Sequence, residues 1–570
     1  MVRQSALRWD RGAFTAEHPH YRWVALSNTT LGVLMATINS SIVIISLPAI
    51  FRGIHLDPLA PGNVSYLLWV LMGFLLVTAV LVVTLGRLGD IYGRVKIYNL
   101  GFAIFTAGSV ALALDPLHAG AGALWLILWR LVQGVGAAML FANSTAIITD
   151  AFPADRRGMA MGINQVAAIA GSFIGLIAGG LLSEVDWRLV FFVSVPIGLL
   201  GTIWSYKSLR ETSQRRPARI DWWGNALFGI GLTAVLAAIT YGIQPYGRSD
   251  MGWLNPWVLA GLIGGGALLV AFTVVETRVD QPMFAMSLFR IKAFSAGNLA
   301  GLLASVARGG LQFMLIIWLQ GIWLPLHGYS FQDTPLWAGI YLLPLTMAFL
   351  LAGPFSGYLS DRFGARTFAT GGLVVVAISF AGLALLPTNF PYWLFAVLLV
   401  VNGIGSGLFS APNTTGIMNS VPAHERGAAS GMRATFFNSG TSLSIGVFFS
   451  LMIVGLAATL PHTLTAGLES HGVSASVATK IGNAPPVGSL FAAFLGYNPV
   501  QSLLGQQTLA SLPPSDAQTL TGKSFFPSLI SGPFHHGLVI VFAMAIAMSL
   551  IGAVASLLRG GRYVHEDEPA

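Results

Sequence analysis

The chain has no cysteine, and only 9% of its 570 residues are Asp, Glu, Lys or Arg. The first absence excludes disulfides and thiolate metal sites. The second excludes an ordinary soluble domain, which needs about 25% charged residues to wet its surface. Acids and histidines are also scarce where chemistry would need them. None of the 22 acids or 11 histidines falls clearly inside the long apolar runs. The nearest, such as Glu184, Glu276 and Asp333, sit at run ends. Those runs therefore lack groups for acid–base, nucleophilic or metal chemistry. A membrane-embedded enzyme or sensor is disfavoured, and no metal or cofactor is expected.

What is present is apolar. Hydrophobic residues make up 55% of the chain, and its mean hydropathy is +0.72. Fourteen apolar runs recur, the first at 24–51 and the last at 537–557. Crossing a bilayer core takes about 20 apolar residues, and backbone in lipid must bond internally, so each run reads as a helix. The first run is too long for a signal peptide and reads as a retained span.

The net charge of +8 reflects loop placement, and no nucleic acid partner is expected. With both termini on one side, that side holds 22 of the 30 Lys and Arg residues; the other holds 5, and 3 lie within runs. Excess cationic residues stay in the cytoplasm, so both termini are expected there. The implied organisation is an N-terminal arm (1–23), a six-helix bundle (24–207), a linker with an inserted transmembrane hairpin (208–292), a second six-helix bundle (293–557) and a tail (558–570). The second bundle includes an external loop, 458–536, with two apolar patches at 490–495 and 500–504, each too short to span. Interfacial helices, a cap over the exit or a disordered linker all fit it.

An internal repeat accompanies this division. Gly86-Arg-Leu-Gly-Asp90-Ile-Tyr-Gly93-Arg94 follows the second run, and Gly357-Tyr-Leu-Ser-Asp361-Arg362-Phe-Gly364 follows the tenth. Duplicated bundles are a hallmark of transporters. Glycines let adjacent helices approach, and Asp90 can accept bonds from a helix N-terminus or pair with an arginine across the bundle. A solvated turn obeying the positive-inside rule is the plainer alternative.

With these residues the sequence resembles the major facilitator superfamily, and within it the fourteen-span drug:proton antiporter group. Leu128-Trp-Arg130-Leu-Val-Gln133-Gly134 is similar to that family's arginine motif, and Gly171, Gly175, Gly179 and Gly180 to its glycine-rich motif of helix 5. The resemblance implies an all-α fold of two six-helix bundles plus a two-helix insert. It makes Gly86, Asp90, Gly93, Arg94, Asp361 and Arg362 a conformational switch. It also makes the four glycines a gate, although tight helix packing alone explains glycines on one face.

Two departures matter. Asn39 stands where the group presents a helix 1 aspartate, and Leu176 where it has proline after the matched glycine. Three arginines, Arg130, Arg308 and Arg433, lie within runs with no opposing acid. A buried charge needs carbonyl dipoles, water, an anion or substrate; Arg433 can alternatively snorkel to the surface. The expected cavity is lined by Asn39, Trp69, Phe74, Arg130, Gln133, Arg308 and Gln312. The expected activity is export of neutral or anionic hydrophobic or amphipathic small molecules, by a monomer in a bacterial plasma membrane. Transport of lipids or lipid-like metabolites is the alternative. The sequence names no coupling ion; a coupling acid would be an interfacial one such as Glu184 or Asp333.

Overall fold

Fourteen helices in the computed structural model are long and apolar enough to cross a membrane. The structure describes residues 20–560, apart from 58–59, 61, 154–155, 212–220, 248, 250, 281, 283, 423–424 and 496–497. The N-terminal arm to residue 19, linker residues 212–220 and the tail from 561 thus lie outside the described residues, as does the side chain of Asp361. The helices are α1 (Tyr21–Gly53), α2 (Asn63–Tyr92), α3 (Arg94–Ala113), α4 (Ala119–Ala151), α5 (Met159–Val185), α6 (Leu189–Ser208), α7 (Trp222–Gly242), α8 (Pro256–Glu276), α9 (Lys292–Leu326), α10 (Thr334–Ser360), α11 (Ala365–Leu385), α12 (Tyr392–Asn419), α13 (Ala428–Glu469) and α14 (Phe525–Leu557).

The packing repeats. In α1–α6, α1 packs on α5, α4 lies against α2 and α3, and α3 touches α6. In α9–α14, α9 packs on α13, α12 lies against α10 and α11, and α11 touches α14. The two halves meet along two equivalent seams, α2 on α13 and α5 on α10. The hairpin α7–α8 lies over the first seam, where a Cβ on Gly446 of α13 would press on Ile239 of α7. Its two helices approach closely because Gly231 and Gly265 face each other's backbone. The outward face of α8, with Leu259, Ile263, Val270 and Val274, is exposed, as suits a helix solvated by acyl chains.

The repeated loops share one backbone device. Gly93 and Gly364 have φ of 112° and 90°, a region that costs an L-residue but not glycine. Each ends one helix and starts the next without a linker.

The expected loop 458–536 is shortened at both ends and takes the form of short helices, one of the alternatives the sequence left open. Helix α13 runs unbroken to Glu469, and α14 already begins at Phe525. Between them lie short helices Ala475–Gly482, Pro486–Phe494, Val500–Ser511 and Pro514–Thr521. The second of these is buried. Phe491 stacks on Phe449 of α13 at 5.0 Å, and Phe494 packs on Phe313 of α9 at 5.1 Å. It also touches α2, so it bridges from the second half to the first at one end of this seam. The apolar patch 490–495 was too short to span because it serves tertiary packing instead.

Candidate functional site

Helix α4 carries Arg130 into the middle of the first half, where it is 1% exposed. A buried guanidinium is costly unless its donors are satisfied. Its Nη1 donates to Asn39 Oδ1 at 2.5 Å and to Gln133 Oε1 at 2.8 Å, and its Nε to the Val70 carbonyl at 3.2 Å. The cation also sits 4.4 Å from the centroid of the Phe74 ring. Each amide is fixed by a second bond. Asn39 donates to Ser194 Oγ at 3.3 Å, and Gln133 to Ser109 Oγ at 2.8 Å. Asn39, Phe74 and Gln133 are fully buried with it. The sequence left open what neutralises Arg130; the answer is amide dipoles, a carbonyl and a ring. Ser109, Ser194 and Val70 carry no sequence signal for this role.

Arg308 is arranged oppositely. It lies 16 residues into α9, about 24 Å along the helix at 1.5 Å per residue, yet it is exposed. Its guanidinium lies 4.2 Å from the Phe349 ring of α10. A mid-helix cation is thus left open rather than packed among side chains. Trp69 and Gln312 are half-buried. Among the described residues no acid acts on Arg130 or Arg308. Arg433 is half-buried, and its Nε has no partner among the described residues.

The glycines of α5 divide. A Cβ on Gly171, Gly175 or Gly179 would strike α1, at Leu34, Ile38 and Ile42 respectively. These three close the packing inside one half. Only Gly180 meets the other half, at the backbone of Leu336, while Gly339 of α10 faces the Leu176 carbonyl in return. The seam is thus closed at the end that holds Val185 and Thr334. Gln320, on a π-turn of α9, adds a bond to the Ile45 carbonyl of α1 at 3.3 Å. Glu184 and Asp333 face each other electrostatically at this closed end.

The switch residues sit at the opposite end. Asp90 pairs with Arg94 at 2.8 Å, and Arg94 with Asp150 of α4 at 2.7 Å. The expected partner across the bundle is therefore corrected in this state: both partners of the chain lie in the same half. The N-terminus of α3 is capped by Glu211, which accepts from Arg94 N at 3.0 Å and Val95 N at 3.2 Å. Gly86 is half-buried near Ala142. In the second copy Arg362 lies over the Tyr358 ring at 4.8 Å. Glu276 ends α8, as its place at a run end implied, and is 2% exposed.

The Major Facilitator Superfamily model matches residues 29–445. The chain is 29% identical to a riboflavin transporter of Clostridioides difficile, over 80% of this chain and 95% of the relative. It is 27% identical to a tetracenomycin C resistance and export protein of Streptomyces glaucescens, over 96% of this chain and 93% of the relative. Among solved structures, a bacterial homolog of the human lysosomal transporter Spinster has the same fold, with a TM-score of 0.58 at 17% identity over 95% of this chain and 99% of that one.

Proposed function

Because the chain belongs to the major facilitator superfamily and is a multi-pass membrane transporter rather than an enzyme, we propose that it exports neutral or anionic, hydrophobic or amphipathic small molecules across a bacterial plasma membrane by alternating access. The observation that carries this reading is Arg308, exposed at mid-span with the Phe349 ring beside it and no acid acting on it among the described residues. An anionic head group 4 Å from such a cation gains about 4 kcal/mol at an effective dielectric near 20, before desolvation, and a cation is repelled by as much. Arg308 makes the charged contact, and Trp69 and Gln312 extend it. Asn39, Phe74, Arg130 and Gln133, expected to line the cavity, are instead fully buried in this state and form a sealed polar cluster. A relative named for resistance and export supports the direction. The cationic bias of the loops supports cytoplasmic termini. The transporter works as a monomer within the lipid bilayer.

The test is an efflux panel in cells that pairs cationic dyes with anionic and neutral amphiphiles. Wild type should export the last two classes. Arg308→Ala should lower anion export about tenfold, for a loss of about 1.4 kcal/mol, and leave neutral cargo unchanged. Robust export of a cation such as ethidium by the wild type overturns the charge preference.

A further inference from the structure

The foot of the hairpin α7–α8 holds two carboxyl groups that the transport cavity does not use. Asp221 precedes α7 and is 7% exposed; Glu276 ends α8 and is 2% exposed. Each spends one oxygen on a backbone donor. Asp221 Oδ1 accepts from Gly224 N at 2.8 Å, and Glu276 Oε2 from Phe284 N at 2.7 Å. The remaining oxygens, Asp221 Oδ2 and Glu276 Oε1, are buried without a donor among the described residues. They converge above Gly224, where a Cβ would collide with both. Two acceptors cannot bond without a proton between them.

Charge balance points the same way. Among the described residues, the charges acting on Glu276 are Asp221 and Arg87 of α2, and Asp90 lies one turn further along α2. Arg278, Arg290 and Lys292 are exposed, and α13 presents the ring of Phe436 to Phe284 at 5.9 Å. Among the described residues, one cation against two carboxylates leaves one negative charge buried. One shared proton makes the group neutral.

The foot also grips the moving parts. Asn225 of α7 bonds Thr84 of α2, and Arg87 donates to the Pro282 carbonyl. Thr84 and Arg87 flank Gly86, where the repeated loop begins. Phe228, Phe272 and Phe284 close over the foot and reach Phe436 of α13. Helices α2 and α13 form one of the two seams between halves.

We propose that Asp221 and Glu276 form a proton-binding site at the foot of the inserted hairpin, whose occupancy sets how firmly the hairpin clamps α2 to α13 and so which access state the halves hold. With the proton in place, Oδ2 and Oε1 share it and the clamp is closed. When it leaves to water, two like charges repel in a buried site and the clamp loosens. The inference rests on the chain being a transporter with two access states, and not on the cargo or direction proposed above.

Neither of the two tests needs a cargo, so failure here and failure of the export reading appear separately. The full chain in lipid nanodiscs is titrated with pH by infrared spectroscopy, which reads the carbonyl band of a protonated carboxyl. In parallel, spin labels on cysteines introduced at Ile163 of α5 and Phe355 of α10 report the distance across the other seam; the chain has no cysteine of its own. Wild type should show a titrating band and a label distance that changes with the same midpoint. Glu276→Gln, whose amide donates to Asp221 permanently, should lose both pH responses and hold the low-pH distance. Asp221→Asn should also lose them. Arg87→Gln should raise the midpoint by about one pH unit, a tenfold gain in proton affinity. An unchanged titration in Glu276→Gln and Asp221→Asn, or a label distance indifferent to pH in the wild type, overturns the proposal.

Discussion

Arg130 Nη1 meets Asn39 Oδ1 at 2.5 Å across 91 residues of sequence. The contact converts a departure from the family pattern into a structural necessity. Asn39 carries no charge, yet it solvates a buried cation and passes the bond on to Ser194.

Asn39→Asp places a carboxylate against that cation. The protein should still reach the membrane, because the ion pair keeps the bond to Arg130. Export of lipophilic cations should appear where the wild type has none, checked by ethidium efflux. Asn39→Leu removes the acceptor and leaves a buried charge underbonded, at a cost of about 1–3 kcal/mol. Its melting temperature in detergent should fall by several degrees.

Asp90→Asn breaks the ion pair with Arg94 while Arg94 keeps Asp150. Asp90 is partly exposed, so the pair is worth no more than about 1 kcal/mol. That shifts a two-state ratio about fivefold without unfolding the chain. Transport at equal expression should drop by that order. Unchanged transport reduces the loop to a topology signal.

Gly180 and Gly175 should respond differently to alanine. At Gly175 the added methyl drives into α1 of the same half, so membrane yield and melting temperature should fall. At Gly180 it meets Leu336 of the other half, so the protein should remain folded with its closed seam wedged apart. A cysteine placed at Gly339 should then label faster with an impermeant maleimide in Gly180→Ala than in the parent.

The orientation is open to a direct check. Reporters fused after Gly472 and after His565 should score on opposite sides of the membrane, with His565 cytoplasmic. The same side for both would mean that the spans are miscounted.

Fourteen spans were legible because each is a local property: some 20 consecutive residues either suit hydrocarbon or do not. The repeated loop was legible as well, since Gly93 and Gly364 mark the same forced turn twice. The helices of 470–524 stayed one alternative among three because their apolar patches are short and gain meaning only against Phe313 and Phe449.

The amino-acid sequence by itself determined that this is a membrane chain of two related halves with an inserted hairpin, and that three cations lie within its spans. Only the tertiary structure decided what those cations meet. It gave Arg130 the amides of Asn39 and Gln133, left Arg308 open beside Phe349, and brought Asp221 and Glu276 together over Gly224. The reason is physical. Partition into lipid is summed along a local run, whereas a hydrogen bond is fixed to within tenths of an ångström by helices far apart in the chain.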